Sequence, residues 1–270
     1  MKKLCLIMLL AATVVACNQK EQPKNTILGL GTPYIFANEF MEGQVKVVKE
    51  ILYWAKNENG QIKKGDLIIW KELDSLGFSH NFTASFDENG QIVGCNYFDE
   101  KGKVINRWKG MFENGILIKA SIFSHDTNTF TVKYKYNELG WLTETSYLNP
   151  GNDTLLSKWA FGNDDKGLYF KIEYFNFKDE FRGRNLLSRN EIGRIIKREY
   201  FNRNDSITYY ENLTYNDRNI LESQERFSRG ISNVKWSYAY TYDTKGNWIT
   251  AICSKDGKPM IFGERSYTYY

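Results

Sequence analysis

The sequence predicts an all-β fold: an antiparallel meander of repeated β-hairpins, about 26 residues per two-strand unit, in a curled or barrel-like sheet. Turn motifs of the form Asx-x-x-Gly, where Asx is Asp or Asn, recur from Gly90 to Gly246 at steps of 25 to 27 residues. A second turn lies midway in each unit, and apolar and polar residues alternate between the turns. A fixed period indicates a repeat architecture, and alternation with period two predicts strands buried on one face. Curling is expected because sheets twist and closure removes exposed edges.

The turns contain residues suited to reversing the chain. Asp and Asn hydrogen-bond to their own backbone, and Gly or Asn accepts a positive φ, so Ile or Val should be poorly tolerated at Gly246. Turns about every 13 residues leave about nine for each strand, which gives roughly sixteen strands. The main turns are Asn57–Gly60, Asp87–Gly90, Glu113–Gly115, Asn137–Gly140, Asp164–Gly167, Asn190–Gly193, Asn216–Asn219 and Asp243–Gly246; the midway turns fall at Gly102, Asn128, Gly151, Asp179, Asp205, Gly230 and Gly257.

The segment 234–242 shows the strand pattern most clearly. One face contains Val234, Trp236, Tyr238, Tyr240 and Tyr242, and the other contains small or polar residues. Aromatic residues make up 16% of the chain, enough to stack across neighbouring strands and supply much of the buried surface. The segment 44–54 is also interpreted as a strand, because it continues directly into the turn at Asn57–Gly60.

The N-terminus predicts export and anchoring. Lys2 and Lys3 precede an apolar stretch, residues 4–15, that is too short to span a bilayer as a helix. The stretch ends in Val14-Val-Ala-Cys17, which resembles a bacterial lipobox and implies acylation of Cys17, and Asn18 after it implies outer-membrane sorting. The predicted organisation is a signal peptide at residues 1–16, a lipidated Cys17 with a tether at 17–43, and a β domain at 44–270.

The β domain resembles a known family over about residues 44–270. Val45-Lys-Val-Val-Lys-Glu50, the repeated Tyr/Phe-Asp-x-x-Gly turns, Tyr242-Asp-Thr-Lys-Gly-Asn-Trp248 and the closing Glu264-Arg-Ser-Tyr-Thr-Tyr-Tyr270 together resemble the YD-repeat (RHS-like) lipoproteins of Bacteroidetes. Asn163, Arg189 and Asn219 depart from the repeat pattern. The resemblance implies a meander of hairpins and no established enzymatic activity.

The chain lacks familiar catalytic signatures. His80 and His125 do not lie at metal-ligand spacing from other ligands, so we expect no metal site and no cofactor. No Gly-x-Ser-x-Gly elbow is present. Turn carboxylates could hold calcium, but without EF-hand spacing turn chemistry explains them better. Strand carboxylates could pair as in a glycosidase or pair with Lys and Arg, and the second is simpler; they are Glu144, Glu173, Glu199, Glu222 and Glu225.

Two kinds of covalent site remain open. Cys95 and Cys253 could form a disulfide outside the cytoplasm, which would require the sheet to close or curl. Three short Asp-Ser/Thr-aliphatic motifs resemble the O-glycosylation pattern of Bacteroidetes; they nominate Ser75, Thr154 and Ser206.

The predicted function is a non-catalytic binding or scaffold module at the outer membrane, acting on a polysaccharide or an envelope protein. The aromatic residues nominated for ligand stacking are Trp108, Trp141, Trp159, Trp236 and Trp248, although core packing is the favoured role for most of them. An integral outer-membrane barrel and, less favoured, a glycan-active enzyme are the alternatives. A net charge of +4 without a basic run argues against nucleic acid, and the oligomeric state is open.

Overall fold

The computed structural model describes residues 41–76, 78 and 81–270, so Cys17 and the predicted signal peptide lie outside the described residues. The described chain forms one antiparallel sheet and a short helix. The strands are β1 (Val45–Glu58), β2 (Gln61–Leu67), β3 (Asn81–Phe86), β4 (Ile92–Phe98), β5 (Val104–Glu113), β6 (Ile116–Ser124), β7 (Thr127–Tyr136), β8 (Leu142–Leu148), β9 (Leu155–Asn163), β10 (Tyr169–Asn176), β11 (Phe181–Arg189), β12 (Ile195–Asn202), β13 (Ile207–Tyr215), β14 (Leu221–Ser228), β15 (Ile231–Tyr242), β16 (Trp248–Lys255) and β17 (Lys258–Tyr269), with helix α1 (Trp70–Leu76) between β2 and β3.

The sheet closes on itself. One edge of β1 pairs with β17 from Val45 to Trp54, and the other edge pairs first with β3 and then with β2. Strands β2 and β3 lie one after the other along the same edge of β1, so together they occupy one strand position. The 17 strands therefore form a closed barrel with 16 strand positions. The predicted all-β antiparallel meander and its curling are therefore confirmed.

The two ends of the barrel carry different turns. We call the end where β1 begins the tether end, and its turns contain Gly90, Gly115, Gly140, Gly167, Gly193, Asn219 and Gly246. The opposite end is the far end. The turn at Gly60 follows the first pass along the barrel and lies at the far end, so grouping it with the Gly90 series was wrong. Strands β2 and β3, joined through α1, both run toward the tether end. From β3 onward the tether-end turns recur at a regular period.

The Asx-x-x-Gly turns share one hydrogen-bond pattern at both ends. At Asp164, the carboxylate oxygen Oδ1 accepts from the backbone N–H groups of Lys166 and Leu168, both at 2.9 Å. Gly167 then takes a φ of 80°. Asn219, which departs from glycine in the sequence pattern, takes a φ of 59° and so fills the same left-handed position.

A side-chain hydrogen bond links successive units. In each case the donor is the side chain immediately before the Asp or Asn of a tether-end turn. The acceptor is a backbone carbonyl at the start of the strand that follows the preceding tether-end turn. The donor–acceptor pairs are Tyr136 to Leu117 (2.8 Å), Asn163 to Leu142 (2.8 Å), Arg189 to Tyr169 (3.1 Å) and Tyr215 to Ile195 (2.7 Å). Asn163 and Arg189 therefore replace tyrosine without losing the bond, which explains how the repeat tolerates both departures.

The apolar face of the sheet points into the barrel and packs as two clusters. One cluster joins β10–β17 with the α1 connection, where Ile68 and Leu73 are fully buried and Phe78 meets Trp236 edge-on at 4.9 Å. The other joins the start of β1 with β3–β7. The connection through α1 thus covers part of the inner face near the far end. No helix among the described residues is long and apolar enough to cross a membrane.

The outer face is charged along most of its circumference. Near the far end, a cation from one strand pairs with an aspartate in the next far-end turn, and this arrangement repeats in four units. The pairs are Arg107 with Asp126, Lys133 with Asp153 (2.8 Å), Lys158 with Asp179 (2.5 Å) and Arg184 with Asp205 (2.8 Å). Each pair is partly exposed and contributes little stability alone.

Hydrogen bonds attach the segment just before β1 to the tether end of the barrel. The Asn247 side chain accepts from the Glu42 N–H at 2.7 Å and donates to the Glu42 carbonyl at 2.8 Å. It also donates to the Tyr269 hydroxyl, which donates to Asp243 at 2.6 Å. Burial and the Asp243 hydrogen bond raise the pKa of Tyr269 to about 12. Although desolvation opposes ionisation of Asp243, hydrogen bonds from Tyr269 and nearby backbone N–H groups keep its pKa below the usual value.

The turn glycines give a test that separates backbone strain from steric overlap. A Cβ at Gly167 would lie 2.6 Å from Nε1 of Trp141, whereas at Gly140, with a similar φ of 76°, nothing lies within 4 Å. We expect Gly140→Ala to cost about 1 kcal/mol through its positive φ alone, and Gly167→Ala to cost at least about 1 kcal/mol more. Urea unfolding of both variants measures the difference, and equal losses would contradict the packing of Trp141 on this turn.

Candidate functional site on the inner wall

Aromatic and polar side chains form a continuous belt on the inner face, one per strand, from β8 to β14. Tyr147 and Trp159 have ring centroids 5.5 Å apart, and Trp159 meets Tyr174 edge-on at 5.4 Å. The members of this inner belt are Tyr147, Trp159, Tyr174, Asn185, Tyr200, Tyr209 and Arg226. All but Asn185 remain partly exposed, so the belt lines accessible space inside the wall.

The middle of the belt is polar. The Asn185 amide donates to the Tyr174 hydroxyl at 2.6 Å, and Asn185 is 3% exposed. Next along the wall, Tyr200 stacks on Tyr209 with centroids 4.0 Å apart, and the Arg226 guanidinium lies 4.7 Å from the Tyr209 ring centroid. The Tyr209 ring, itself stacked on Tyr200, supports one face of the Arg226 guanidinium and so restricts its rotamers.

Glu211 holds this stack in place. Its Oε1 accepts from Nε and Nη2 of Arg226, at 3.0 and 2.7 Å. Its Oε2 accepts from Nη1 of Arg198 and from the Tyr200 hydroxyl, both at 3.2 Å. Glu211 is 1% exposed and already accepts four hydrogen bonds, about the capacity of a carboxylate. It is therefore saturated by the protein and does not face a ligand.

Arg226 differs from its two partners in exposure. Its side chain is 45% exposed, while the side chains of Glu211 and Arg198 are each 1% exposed. Partial burial disfavours the charged guanidinium, but the hydrogen bond and charge of Glu211 outweigh this and raise the pKa of Arg226. The arrangement presents a permanently charged, rigidly held group to the interior space.

A second buried pair lies elsewhere on the inner face. Glu50 on β1 pairs with Arg265 on β17 at 2.7 Å, and the guanidinium of Arg265 lies 3.9 Å from the Trp248 ring centroid. Both side chains are at most 3% exposed. This pair joins the two strands that close the barrel and has no access to solvent, so we interpret it as structural.

A groove of about 470 Å³ opens at the tether end between the turns of β9–β10 and β11–β12. Leu168, Phe170 and Ile192 line it together with charged side chains such as Lys166 and Glu191. Ile192 is 59% exposed and Phe170 44%. The groove is wide open to solvent, and its Asp164, Arg189 and Asn190 side chains already bond to backbone groups of the adjoining turns, so the belt is the stronger candidate.

The five nominated tryptophans occupy different environments. Trp108 and Trp248 are each 3% exposed and pack in the core, so neither can stack on a ligand at the surface of the closed barrel. Trp159 and Trp236 are partly buried on the inner face, and Trp159 belongs to the belt. Trp141 lies over the Gly167 turn. Ligand stacking stays a prediction, and among the five Trp159 has the best placement for it.

The remaining nominated residues are scattered. Thr154 and Ser206 are exposed at far-end turns, and Ser75 is exposed on α1, so glycosylation of all three stays a prediction. His80 and Cys17 lie outside the described residues, and His125 occupies a turn with a φ of 48°. No group of three or more His, Cys, Asp or Glu side chains suited to a metal occurs in the described part of the chain.

Cys95 and Cys253 are both buried free thiols, so the structure contains no disulfide between them. They belong to different core clusters. Burial raises the pKa of Cys95 to about 12, and it also raises that of Cys253. Both thiols are therefore protonated and unreactive at neutral pH.

The strand carboxylates that sequence patterns suggested do not converge. Glu173 pairs with Lys171 and Glu199 with Lys197, on the same strand and on the outer face. Sequence reasoning missed Glu211, yet a signal existed. Glu211 alternates with Tyr209, Leu213 and Tyr215, so it lies on the apolar face of its strand, where an unpaired carboxylate would be costly.

Comparisons with known proteins give limited likenesses. No family model and no curated protein matches the chain. Matching solved structures include a porin-like protein from Bacteroides vulgatus (12% identity, 85% of this chain and 100% of that chain, TM-score 0.46). Another is a porin-like protein from Bacteroides uniformis (8% identity, 84% and 98%, TM-score 0.37).

Two further matches are Tc toxin structures, one of them the Photorhabdus luminescens Tc holotoxin pore (12% identity, 78% of this chain, TM-score 0.33). The chain spans 12% and 11% of these two longer chains. None of the four likenesses assigns a function to this chain.

The Glu211 pairings can be tested by a charge-neutralising substitution. Glu211→Gln removes the carboxylate from buried Arg198, and we expect a loss of about 3–5 kcal/mol in the free energy of unfolding. Glu264→Gln is the control, because its pair with Lys64 is 34% and 53% exposed and should cost under about 1 kcal/mol. Chemical unfolding of both variants measures the difference, and similar losses would show that Glu211 is not a buried ionic partner.

Proposed function

We propose that this chain is a lipid-anchored envelope protein of the YD-repeat type, whose closed barrel is a non-catalytic module that binds a polysaccharide through the inner belt. The observation that carries the proposal is the Tyr200–Tyr209–Arg226 stack, which is held by a saturated buried carboxylate and remains open to the interior. A partly exposed aromatic strip with a few fixed polar groups suits sugar rings, whose apolar faces stack on aromatic residues.

Several features of the belt support recognition rather than core packing alone. The remaining inner wall contains buried aliphatic groups such as Ile172 and Leu213 and partly buried rings such as Phe161 and Tyr240. The belt residues instead combine ring faces with an amide and a guanidinium. Successive members lie one strand apart, so six strand spacings of about 4.8 Å give a strip roughly 30 Å long. This length suits several sugar units.

Anchoring through Cys17 is supported by the lipobox-like sequence and by the course of the chain. The first described residues reach the barrel at the tether end, where Asn247 fixes both backbone groups of Glu42. An acylated segment would therefore hold the tether end toward the membrane and leave the far end pointing away. Arg226 lies two residues before the far-end limit of β14, on the side a ligand would approach.

An integral outer-membrane barrel is the second candidate, and closure with 16 strand positions is the observation that favours it. The distribution of charge opposes it. Lys133, Lys158, Lys171, Glu173 and Lys197 are among the charged residues of the outer face. Each such lysine would cost about 2–4 kcal/mol at the bilayer midplane, and Glu173 would cost less. Apart from the polar part of the belt and the two buried ionic clusters, the inner face is mostly apolar, unlike the wall of a water-filled pore.

A single substitution distinguishes the two candidates. We expect full-length protein to stay with washed outer membranes and Cys17→Ala to be released in soluble, folded form, because the acyl chains supply the attachment. Cys17→Ser is a matched second variant. Fractionation with immunoblotting measures the distribution, and circular dichroism checks the fold. Retention of folded Cys17→Ala through carbonate washing would instead support the integral barrel.

Binding through the belt can be tested by native electrophoresis of the full-length protein in gels containing polygalacturonate, chondroitin sulfate or laminarin. We expect retardation by at least one polymer, weakened at least tenfold in apparent affinity by Trp159→Leu, because a stacking platform is lost. Trp141→Leu, at the tether end, should bind as the parent does. Absence of retardation in all three gels, or equal loss in both variants, would contradict belt-mediated polysaccharide binding.

A further inference from the structure

We propose that the inner belt recognises an acidic saccharide and that Arg226 binds its anionic group, a carboxylate or a sulfate. This inference rests on the proposed binding function and specifies its ligand class. It follows from the hydrogen-bonding capacity of Arg226, from the charge balance of the surrounding wall and from the position of Arg226 at the end of the belt.

Arg226 has unused donors that point away from its protein partner. Its Nε and Nη2 atoms donate to Oε1 of Glu211, and no hydrogen bond from its Nη1 is formed among the described residues. A guanidinium has five N–H donors in a planar fork. The remaining edge includes Nη1, and the 45% exposure of the side chain leaves that edge accessible. Paired N–H groups on one edge match the two oxygens of a carboxylate or sulfate.

The local charge favours an anion. Glu211 balances only one of the two guanidinium groups it touches, Arg198 and Arg226, so the cluster has a net charge of +1. Glu211 is the one acidic side chain on the inner face of β12–β15 in the described structure. Lys255 adds a further cation near the same end, 5.9 Å from the ring centroid of Trp236. A positive, partly desolvated site of this kind attracts anionic ligands.

Glu211 acts here as a positioning residue. Its four accepted hydrogen bonds leave no oxygen lone pair for a sugar hydroxyl, and its burial keeps it from solvent. By clamping one edge of Arg226 and letting the ring of Tyr209 support the flat face, the protein orders the long side chain before a ligand arrives. Less conformational entropy is then lost on binding.

The belt gives the anionic group a defined place within a longer ligand. Arg226 occupies one end, and Tyr174, Trp159 and Tyr147 continue along the wall from it. An acidic sugar unit at Arg226 would place neighbouring units over the aromatic members. Charge would then select the ligand, while stacking would supply contact area that tolerates variation among the remaining units.

The test is calorimetric titration of the full-length protein in mild detergent with hexagalacturonate, with sulfated chondroitin hexasaccharide and with neutral maltohexaose. Arg226→Gln is compared with Arg182→Gln. Arg182 is the matched control because it is 48% exposed, pairs with a single glutamate, Glu180, and does not belong to the belt. Thermal unfolding of each variant establishes that the barrel is intact before binding is compared.

We expect at least one acidic hexasaccharide to bind, with affinity falling as salt rises, and Arg226→Gln to weaken it at least tenfold. Arg182→Gln should change affinity less than twofold. Binding of maltohexaose as tight as the acidic ligands, with no effect of Arg226→Gln, would overturn the anionic specificity and leave the proposed polysaccharide binding standing. No binding of any of the three by folded protein would overturn both proposals.

Discussion

The pairing of β1 with β17 is the constraint on which the rest of the molecule depends. The strands pair along ten residues of β1, from Val45 to Trp54, and join chain segments more than two hundred residues apart. Without this pairing the sheet would be open and both of its faces would be exposed to solvent. With it, one face becomes the interior of the barrel. The buried Glu50–Arg265 pair spans it, and the Asn247–Glu42 hydrogen bonds adjoin it. Such distant contacts carry a large loop-closure entropy, so we expect the barrel to close late in folding.

Much of the architecture was predictable because it is encoded locally. Turn chemistry and alternation act within four to nine residues, and they correctly indicated an antiparallel meander with roughly sixteen strands. Even the departures at Asn163, Arg189 and Asn219 preserve the local function, two as hydrogen-bond donors and one as a residue with positive φ. The sequence could not show that β2 and β3 share one edge of β1, because that depends on where α1 packs. For the same reason the turn at Gly60 was grouped with the wrong series of turns.

The candidate site was less predictable, since it depends on which strands become neighbours. Carboxylates were recognised as strand residues, but only the register brings Glu211 opposite both Arg198 and Arg226. The tryptophans show the same limit. Alternation assigns Trp108 and Trp159 to the apolar face, but whether a ring is buried depends on which side chains of other strands pack around it. Trp108 is buried, and Trp159 is partly accessible.

The repeat itself points to the inner polar cluster as the place where this barrel departs from a purely structural wall. Ten residues after each tether-end Asx, the equivalent inner position contains Tyr147, Tyr174 and Tyr200 in three successive units and Arg226 in the next. Five residues before the Asx, the positions equivalent to Glu211 contain Val132, Trp159, Asn185 and Tyr238. Among these units, only the one around β13 and β14 has a carboxylate and a guanidinium at the two positions, and the two groups pair across the strands. A buried ion pair is seldom more stable than the apolar groups it replaces. Stability of the repeat therefore does not account for this pair, whereas the proposed recognition of an anionic group would, because the pair supplies the wall with a rigid, solvent-accessible guanidinium.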